Sequence, residues 1–196
     1  MIELGVAPED DVVLAFLRAE IASPKWGPLY LRLLRDLHLD RGSLIDVADL
    51  ADVRAGTIRK DILGAVRGYG RNDLLFTAFP RDIRWRRVRV ELSDFYRLKR
   101  ISNDERWFKL TGGTRLIQEA ARNLDVDPEV AVKVRGTIQR IEQHLPLAEL
   151  IMLETDAGEL VLVEGHTRAT AYAVLSDRAF LAFMGTSPLM DRWAFI

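Results

Sequence analysis

Two short apolar segments joined by a tight turn, and followed at once by a glycine and a helix, constrain the fold of this chain most. Residues 150–153 and 160–163 are entirely apolar, and residues 155–158 between them have the residue types of a hairpin turn. Strands without polar alternation are typical of a sheet that is covered on both faces. After Gly165, residues 169–175 are predicted to be helical. The sequence therefore predicts a strand–hairpin–strand–helix unit inside a sheet that carries helices.

The rest of the chain is predicted to be helical at first and then mixed. Apolar residues at helical spacing predict helices over residues 12–21, 29–37, 43–53 and 57–66. Further along, strands are predicted over 83–92, 107–110 and 179–184, and helices over 93–98, 114–124 and 128–143. The predicted fold class is α/β in the broad, α+β, sense. A helical N-terminal region, residues 1–75, precedes a mixed sheet with helices, residues 76–196.

The composition excludes several classes of site. Cysteine is absent, so there are no disulfides, thiolate metal sites or cysteine nucleophiles. His38, His144 and His166 are far apart and form no HxxxH or HExxH spacing, so no metal site is predicted. No apolar run approaches the roughly 18 residues that a membrane span needs. Because the N-terminus is acidic and unlike a secretory signal, we expect a cytoplasmic protein without a membrane partner.

The segment Glu164-Gly165-His166-Thr167-Arg168 is predicted to lie where the second apolar strand ends and the helix begins. The first N–H groups of a helix have no partner within the helix and attract anions. Gly165 would let the backbone approach a ligand, Thr167 could donate to a phosphate oxygen, and Arg168 could bind the phosphate with two hydrogen bonds. Glu164 and His166 are the titratable pair that could perform acid–base chemistry. The spacing alone also fits, and more often indicates, a turn with a purely structural role.

A second turn, Thr111-Gly112-Gly113-Thr114-Arg115, is predicted to follow the same plan of strand end, glycines and a helix with a basic residue at its start. Gly112, Gly113, Thr114 and Arg115 could form a second wall of a phosphate site. The alternative is a simple turn in which Thr114 caps the helix. The Walker A and G-x-G-x-x-G motifs are both absent.

The segment from Ala148 to Leu175 resembles the core of the ParB/sulfiredoxin-like superfamily. The resemblance rests on a G-x-x-R turn, here Gly165 to Arg168, and on the small residues Ala169, Ala171 and Ala173 behind it. It implies a ParB/sulfiredoxin-like domain over residues 76–196, in which the arginine and the backbone amides bind nucleotide phosphates. The free serine kinases of this superfamily are similar in having an acidic residue before the glycine and a histidine after it.

The resemblance implies a nucleotide-binding protein, with a phosphotransferase or an NTPase as the corresponding enzyme. The ligand would be a nucleoside diphosphate or triphosphate with Mg²⁺, and the acceptor a small molecule or a protein. Glu164 and His166 would be catalytic, whereas Gly165, Thr167 and Arg168 would hold the phosphates. The chain also departs from the superfamily. The absence of cysteine excludes sulfiredoxin chemistry, and Thr167 stands where DNA-partitioning members have a second arginine and the kinases a second histidine.

The alternative function is a non-catalytic, DNA-associated or regulatory module. Residues 81–100 carry 8 basic and 3 acidic side chains, and such a block can attract phosphates. Residues 50–62 have a pattern similar to a helix-turn-helix, in which Arg59 and Lys60 would face DNA. A plain helical hairpin would explain the same residues.

The arginines of the predicted strand over residues 83–92 also have a simpler interpretation. They alternate with apolar residues, but the alternation slips by one residue at Arg86-Arg87. We therefore expect a bulge at this point and arginines that line one exposed face of the strand.

Overall fold

The computed structural model describes residues 1–101 and 105–196. Its strands are β1 (Ile2–Val6), β2 (Arg84–Val90), β3 (Leu98–Arg100), β4 (Leu150–Glu154), β5 (Leu160–Glu164) and β6 (Phe180–Thr186). Its α-helices are α1 (Glu9–Ile21), α2 (Gly27–Asp36), α3 (Val53–Arg67), α4 (Glu105–Leu110), α5 (Ile117–Arg122), α6 (Pro128–Glu142) and α7 (His166–Leu175). A π-helical turn (Gly42–Asp46) and four short 3-10 helices (Leu74–Phe76, Leu92–Arg97, Leu124–Val126, Met190–Arg192) complete the described elements. The predicted α+β fold class is confirmed.

The six strands form one mixed sheet in the order β1-β2-β6-β4-β5-β3. The pairs β1–β2, β2–β6 and β4–β5 are antiparallel, whereas β4–β6 and β3–β5 are parallel. The predicted apolar hairpin is confirmed as β4–β5, and both of its strands have a neighbour on each side. Their uniformly apolar sequences follow from this position, because helices cover both faces of the sheet.

The two faces of the sheet have separate hydrophobic cores. On one face α1, α2 and α3 pack over side chains that include Trp85, Ile151, Leu153, Val161, Val163 and Phe183. On the other face α7 and α5 pack over Val88, Met152, Leu162, Ala182 and Met184. A third, smaller core joins α7 to α4, α5 and α6. The end of β5 therefore lies between the N-terminal helices on one side and α7 on the other.

The first 75 residues contain one strand besides helices α1, α2 and α3, and the prediction of a helix over residues 43–53 is wrong, since only the π-helical turn Gly42–Asp46 forms there. Strand β1 pairs antiparallel with β2 at the edge of the sheet and is mostly exposed, so its short sequence carries little apolar signal. The N-terminal segment thus contributes both a strand and a helical layer to the sheet. The predicted boundary between residues 75 and 76 stays a prediction. Within the described residues, no helix is long and apolar enough to cross a membrane.

Two predicted elements around the second glycine turn are wrong. Residues 107–110, predicted to be a strand, belong to helix α4, since the acidic Glu105 begins a helical turn that overrides the strand preference of Trp107 and Phe108. The next helix starts at Ile117 rather than at residue 114, because Arg115 has a positive φ of 66° that no helix accommodates.

The predicted bulge at Arg86-Arg87 is also wrong. Strand β2 pairs with β6 without interruption over all seven of its residues, and the irregularity lies in β1 between Glu3 and Gly5. The alternation slips because β2 changes its buried side: Trp85 enters the core under α1–α3, whereas Val88 enters the core under α7. Consecutive arginines of a strand point to opposite faces, so the arginines do not line one face as predicted.

Candidate functional site

Gly165 forms the turn between β5 and α7, as the sequence predicts. Its φ of 103° and ψ of 24° place it in the left-handed region at the N-cap of α7. A Cβ atom on this residue would lie 2.9 Å from Cγ of Leu150 and 3.2 Å from Nη2 of Arg168. Both the backbone conformation and the close packing therefore require glycine here.

The N-terminus of α7 is uncapped in the part of the chain that the structure describes. Within residues 1–101 and 105–196, neither a side chain nor a carbonyl accepts a hydrogen bond from the N–H groups of residues 166–168. The hydroxyl of Thr167, which is only half-buried, likewise has no hydrogen-bond partner in that part of the chain. Unpaired N–H groups at the positive end of a helix dipole are suited to binding an anion.

The side chain of Arg168 forms hydrogen bonds with other groups of the protein. Its Nη1 donates to the main-chain carbonyl of Ala148 and, at 3.5 Å, to that of Glu149, while its Nη2 lies 3.1 Å from Oε1 of Glu164. The side chain is only 12% exposed. These contacts tie the start of α7 to the segment before β4, so the geometry gives Arg168 a structural role. Its predicted role as a phosphate ligand stays a prediction.

His166 is the first residue of α7, and its ring packs beside Trp107 with centroids 5.8 Å apart. Its Nε2 is buried and has no hydrogen-bond partner in the described part of the chain. Burial lowers the pKa of His166 to about 3, and the positive charges of Arg100 and Arg168 contribute in the same direction. The imidazole is therefore neutral near pH 7.

The polar side chains of the second glycine turn donate hydrogen bonds to main-chain carbonyls of the protein. Arg115 donates to the carbonyl of Arg100 from Nε at 3.0 Å and from Nη2 at 2.7 Å, and to that of Phe195 at 3.4 Å. The hydroxyl of Thr114 donates to the carbonyl of Thr111 at 2.8 Å. The residue that caps α5 is Leu116, so the prediction that Thr114 caps this helix is wrong.

Among the described residues, Arg100 connects the two predicted turns. The glycines of the second turn, Gly112 and Gly113, have positive φ values of 56° and 80° and follow helix α4, not a strand as predicted. Arg115 holds the main chain of Arg100, and Arg100 lies opposite Leu162 in the parallel β3–β5 pair. The role of residues 112–115 as a second wall of a ligand site stays a prediction.

A buried polar cluster near the β5–α7 turn, formed by Glu20, Tyr30 and Arg67, was not predicted from the sequence. The hydroxyl of Tyr30 donates to Oε2 of Glu20 at 2.6 Å, and Nε of Arg67 lies 3.1 Å from Oε1 of Glu20. The guanidinium of Arg67 also stacks over the ring of Trp26 at 4.0 Å. We call these three residues the Glu20 cluster.

The Glu20 cluster and the β5–α7 turn are electrostatically coupled. Burial raises the pKa of Glu20 to about 7, an effect that Arg67 and the Tyr30 hydrogen bond oppose and that the charge of Glu164 increases. The charge of Arg67 in turn contributes to the low pKa of His166. One sequence signal points to this cluster: Glu20 interrupts the apolar stripe of α1, four residues after Phe16.

The helix-turn-helix interpretation of residues 50–62 is contradicted at its main residue. Arg59 is fully buried, pairs with Asp10 of α1 and donates to the carbonyl of Leu44 at 3.3 Å. The prediction that it faces DNA is wrong, because this guanidinium joins α3 to α1. Lys60 is partly exposed and pairs with Glu9.

Acidic partners neutralise much of the basic block over residues 81–100. Arg86 lies 3.0 Å from a carboxylate oxygen of Glu3, and Arg87 pairs with Glu149. The further pairs are Arg89–Glu91, Arg97–Asp94 and Lys99–Glu159. The local excess of positive charge in the sequence therefore produces no equally strong positive surface in the fold.

The comparisons with known proteins add no relative. No protein-family model, no curated protein and no solved structure matches this chain. The resemblance to the ParB/sulfiredoxin-like superfamily therefore stays a prediction, and the site has to be interpreted from its own geometry.

Proposed function

We propose that the chain binds the phosphate groups of a nucleotide at the N-terminus of α7. The observation that carries the proposal is the uncapped first turn, where the N–H groups of residues 166–168 have no acceptor in the described residues. Each would donate a charge-assisted hydrogen bond to a phosphate oxygen, and the hydroxyl of Thr167 would add another.

The charges around the turn support an anionic ligand. The guanidinium groups of Arg67, Arg100 and Arg168 are all close enough to lower the pKa of His166. Among the residues that the structure describes, Glu164 pairs with Arg168, and Glu20 has a pKa of about 7 that leaves it largely without charge below neutral pH. A bound phosphate would place a negative charge beside these guanidinium groups.

His166 and Glu164 would have different tasks in this site. The neutral imidazole of His166, whose Nε2 lacks a partner in the described residues, would hydrogen-bond the ligand. Within residues 1–101 and 105–196 no three metal-ligating side chains cluster together, and in this proposal Mg²⁺ is held mainly by the nucleotide phosphates. Glu164 would position that ion or accept a proton in a phosphotransferase or NTPase reaction.

A nucleotide-binding assay with a charge-reversed turn tests the binding proposal. ATP, ADP and CTP, each with and without Mg²⁺, should raise the melting temperature and bind in calorimetry. Thr167→Glu places a carboxylate in the first turn of α7, where the helix dipole stabilises it, so the protein should stay folded while nucleotide binding is lost. Val53→Glu, which puts the same charge on the first residue of α3, should bind nucleotide like the wild type.

Two results would contradict the proposal: no nucleotide binds, or Thr167→Glu binds as tightly as Val53→Glu.

The catalytic part has its own test. Release of phosphate from ATP should be lost in Glu164→Gln while nucleotide affinity changes little, because glutamine can still accept from Arg168. If ATP is not hydrolysed and no acceptor is phosphorylated, binding stands without catalysis.

The DNA-associated alternative has less support from the fold. In the two segments on which it depends, residues 50–62 and 81–100, basic side chains pair with carboxylates: Arg59 with Asp10 and Arg87 with Glu149. A salt-sensitive mobility shift with a distinct footprint would nevertheless favour it over nucleotide binding.

A further inference from the structure

A cleft of about 520 Å³ lies between the loop before β2 and the segment after β6. Its volume is in the range of small-molecule sites. Strand β6 runs antiparallel to β5 in the sheet, since β4 pairs parallel with β6 and antiparallel with β5. The cleft, which follows the end of β6, is therefore at the opposite end of the sheet from the β5–α7 turn.

Two exposed arginines line this cleft, Arg81 and Arg192. Neither has a carboxylate within 4.0 Å or a side-chain hydrogen bond in the part of the chain that the structure describes, whereas arginines of the neighbouring strand β2 such as Arg86 and Arg87 are paired. The carboxylate in the lining, Asp82, accepts instead from the hydroxyl of Ser187 at 2.7 Å. The cleft thus presents two guanidinium groups that the protein itself leaves available.

The aromatic side chains at the apolar part of the cleft pack against one another. The ring of Phe79 meets the rings of Phe76 and Trp193 nearly at right angles, with centroids 4.9 Å and 5.4 Å apart. Nε1 of Trp193 donates to the carbonyl of Leu75 at 2.8 Å, which fixes the indole. The side chain of Leu189, 39% exposed, lies on the other wall. A ligand would meet a preformed surface, which reduces the entropy lost on binding.

The backbone of one wall adopts an unfavourable conformation. Ala78 has a φ of 57°, in the left-handed region that residues with a Cβ rarely occupy. Its N–H donates to Oδ1 of Asn72 at 2.6 Å. The carbonyl of the preceding residue, Thr77, accepts a hydrogen bond from the N–H of Ala194 in the C-terminal segment at 3.2 Å. Such strained residues concentrate at binding sites.

We propose that this cleft binds a small organic anion with an apolar or aromatic body. Its carboxylate or phosphate group would pair with Arg81 and Arg192, and its apolar part would lie against Phe79 and Leu189. The two guanidinium groups in the lining provide the planar donors that these anions accept from, and the apolar wall favours an organic ligand over a free inorganic ion. This site is separate from the nucleotide site proposed above and does not depend on it.

Calorimetry with phenyl phosphate and benzoate on the full chain tests the proposal. Both should bind, and Arg81→Gln and Arg192→Gln should each raise the dissociation constant at least about tenfold, the loss expected for a charge-assisted hydrogen bond. Arg84→Gln is the matched control, because Arg84 is an exposed arginine outside the cleft with no carboxylate partner in the described residues. It should leave the dissociation constant unchanged.

Four results would overturn the proposal. The first is that neither phenyl phosphate nor benzoate binds at millimolar concentration, and the second is that both glutamine variants bind as tightly as the wild type. The third is that inorganic phosphate binds as tightly as phenyl phosphate, which would remove the role of the apolar wall. The fourth is that Thr167→Glu abolishes the binding, which would assign it to the N-terminus of α7 instead.

Discussion

Glu164 and Arg168, one helical turn apart, are bound to each other, with Oε1 and Nη2 separated by 3.1 Å. The two charged residues at the ends of the turn therefore form part of the fold, and the groups left to bind a phosphate are the backbone amides between them and the side chains of His166 and Thr167, while Glu164 would act on Mg²⁺ or a proton in the proposed reaction. This arrangement separates the residues that hold the turn from those that would contact an anion.

Arg168→Ala should destabilise the protein. The variant loses the hydrogen bonds to Ala148 and Glu149 and leaves Glu164 without its cation, so we expect a loss of about 2–4 kcal/mol in the free energy of unfolding. Thr167→Ala, which removes a hydroxyl without a described partner, should change it by less than about 0.5 kcal/mol. Urea titrations of both variants measure the difference. A stable Arg168→Ala variant that no longer binds nucleotide would instead identify Arg168 as a phosphate ligand.

Gly165→Ala should cost more than alanine at Gly158 or Gly136. The substitution combines a positive φ of 103° with a Cβ 2.9 Å from Leu150, and we expect about 2–4 kcal/mol of destabilisation. Gly158→Ala has a positive φ of 75° but no atom within 4 Å, so it should cost only about 1 kcal/mol. Gly136→Ala, on α6 with open space around it, should stabilise the protein by about 0.5–1 kcal/mol. Equal destabilisation by Gly165→Ala and Gly158→Ala would contradict the predicted cost of the close contact with Leu150.

Glu20 should make the protein less stable as the pH rises from about 4.5 to about 7. Burial raises its pKa from 4.5 to about 7. Between these values the folded protein holds a proton that the unfolded chain has released, so stability falls with rising pH, by at most about 1.4 kcal/mol per pH unit. Glu20→Gln should remove this dependence. The measurement is the free energy of unfolding of both proteins from pH 4.5 to 8, with Glu142→Gln, at an exposed glutamate, as the control. A constant difference between wild type and Glu20→Gln would contradict the prediction.

His166 should have the opposite effect at lower pH. Its pKa is lowered from 6.5 to about 3 by burial and by the arginines around it. Between these values the unfolded chain binds a proton that the folded protein excludes, so stability falls as the pH falls below 6.5. His166→Gln should lose this dependence, and in nuclear magnetic resonance spectra the ring nitrogens of His166 should keep the shifts of a neutral imidazole down to pH 5. A titration of His166 near pH 6.5 would show that the ring is solvated.

Arg59→Ala should destabilise the protein far more than Lys60→Ala. Arg59 is fully buried against Asp10, and removing it leaves that carboxylate without a partner, at a cost of about 3–5 kcal/mol. Lys60 is 41% exposed in its pair with Glu9 and should contribute less than about 1 kcal/mol. Thermal unfolding of the two variants compares adjacent cations of one helix. Similar stabilities of Arg59→Ala and Lys60→Ala would indicate that Arg59 is exposed at the surface.

Local sequence determined the elements around the candidate site. The apolar residues of β4 and β5, the turn between them and Gly165 are all predicted within one or two residues of their observed bounds, and helix α7 starts three residues earlier than predicted, at His166. Such features depend on the preferences of a few consecutive residues: apolar runs favour buried strands, and glycine accepts the positive φ that a sharp turn needs. The predicted position of Gly165 to Arg168 at the start of a helix is confirmed for the same reason.

Only the tertiary structure decided which charges meet. Arg59 pairs with a residue 49 positions away and Arg87 with one 62 positions away, so no local pattern shows that these arginines are neutralised. Likewise, Glu20 and Glu164 influence each other only because α1 packs on the sheet beside the end of β5. Burial and ion pairing depend on which segments come together in space, and a linear sequence specifies those contacts only through the complete fold.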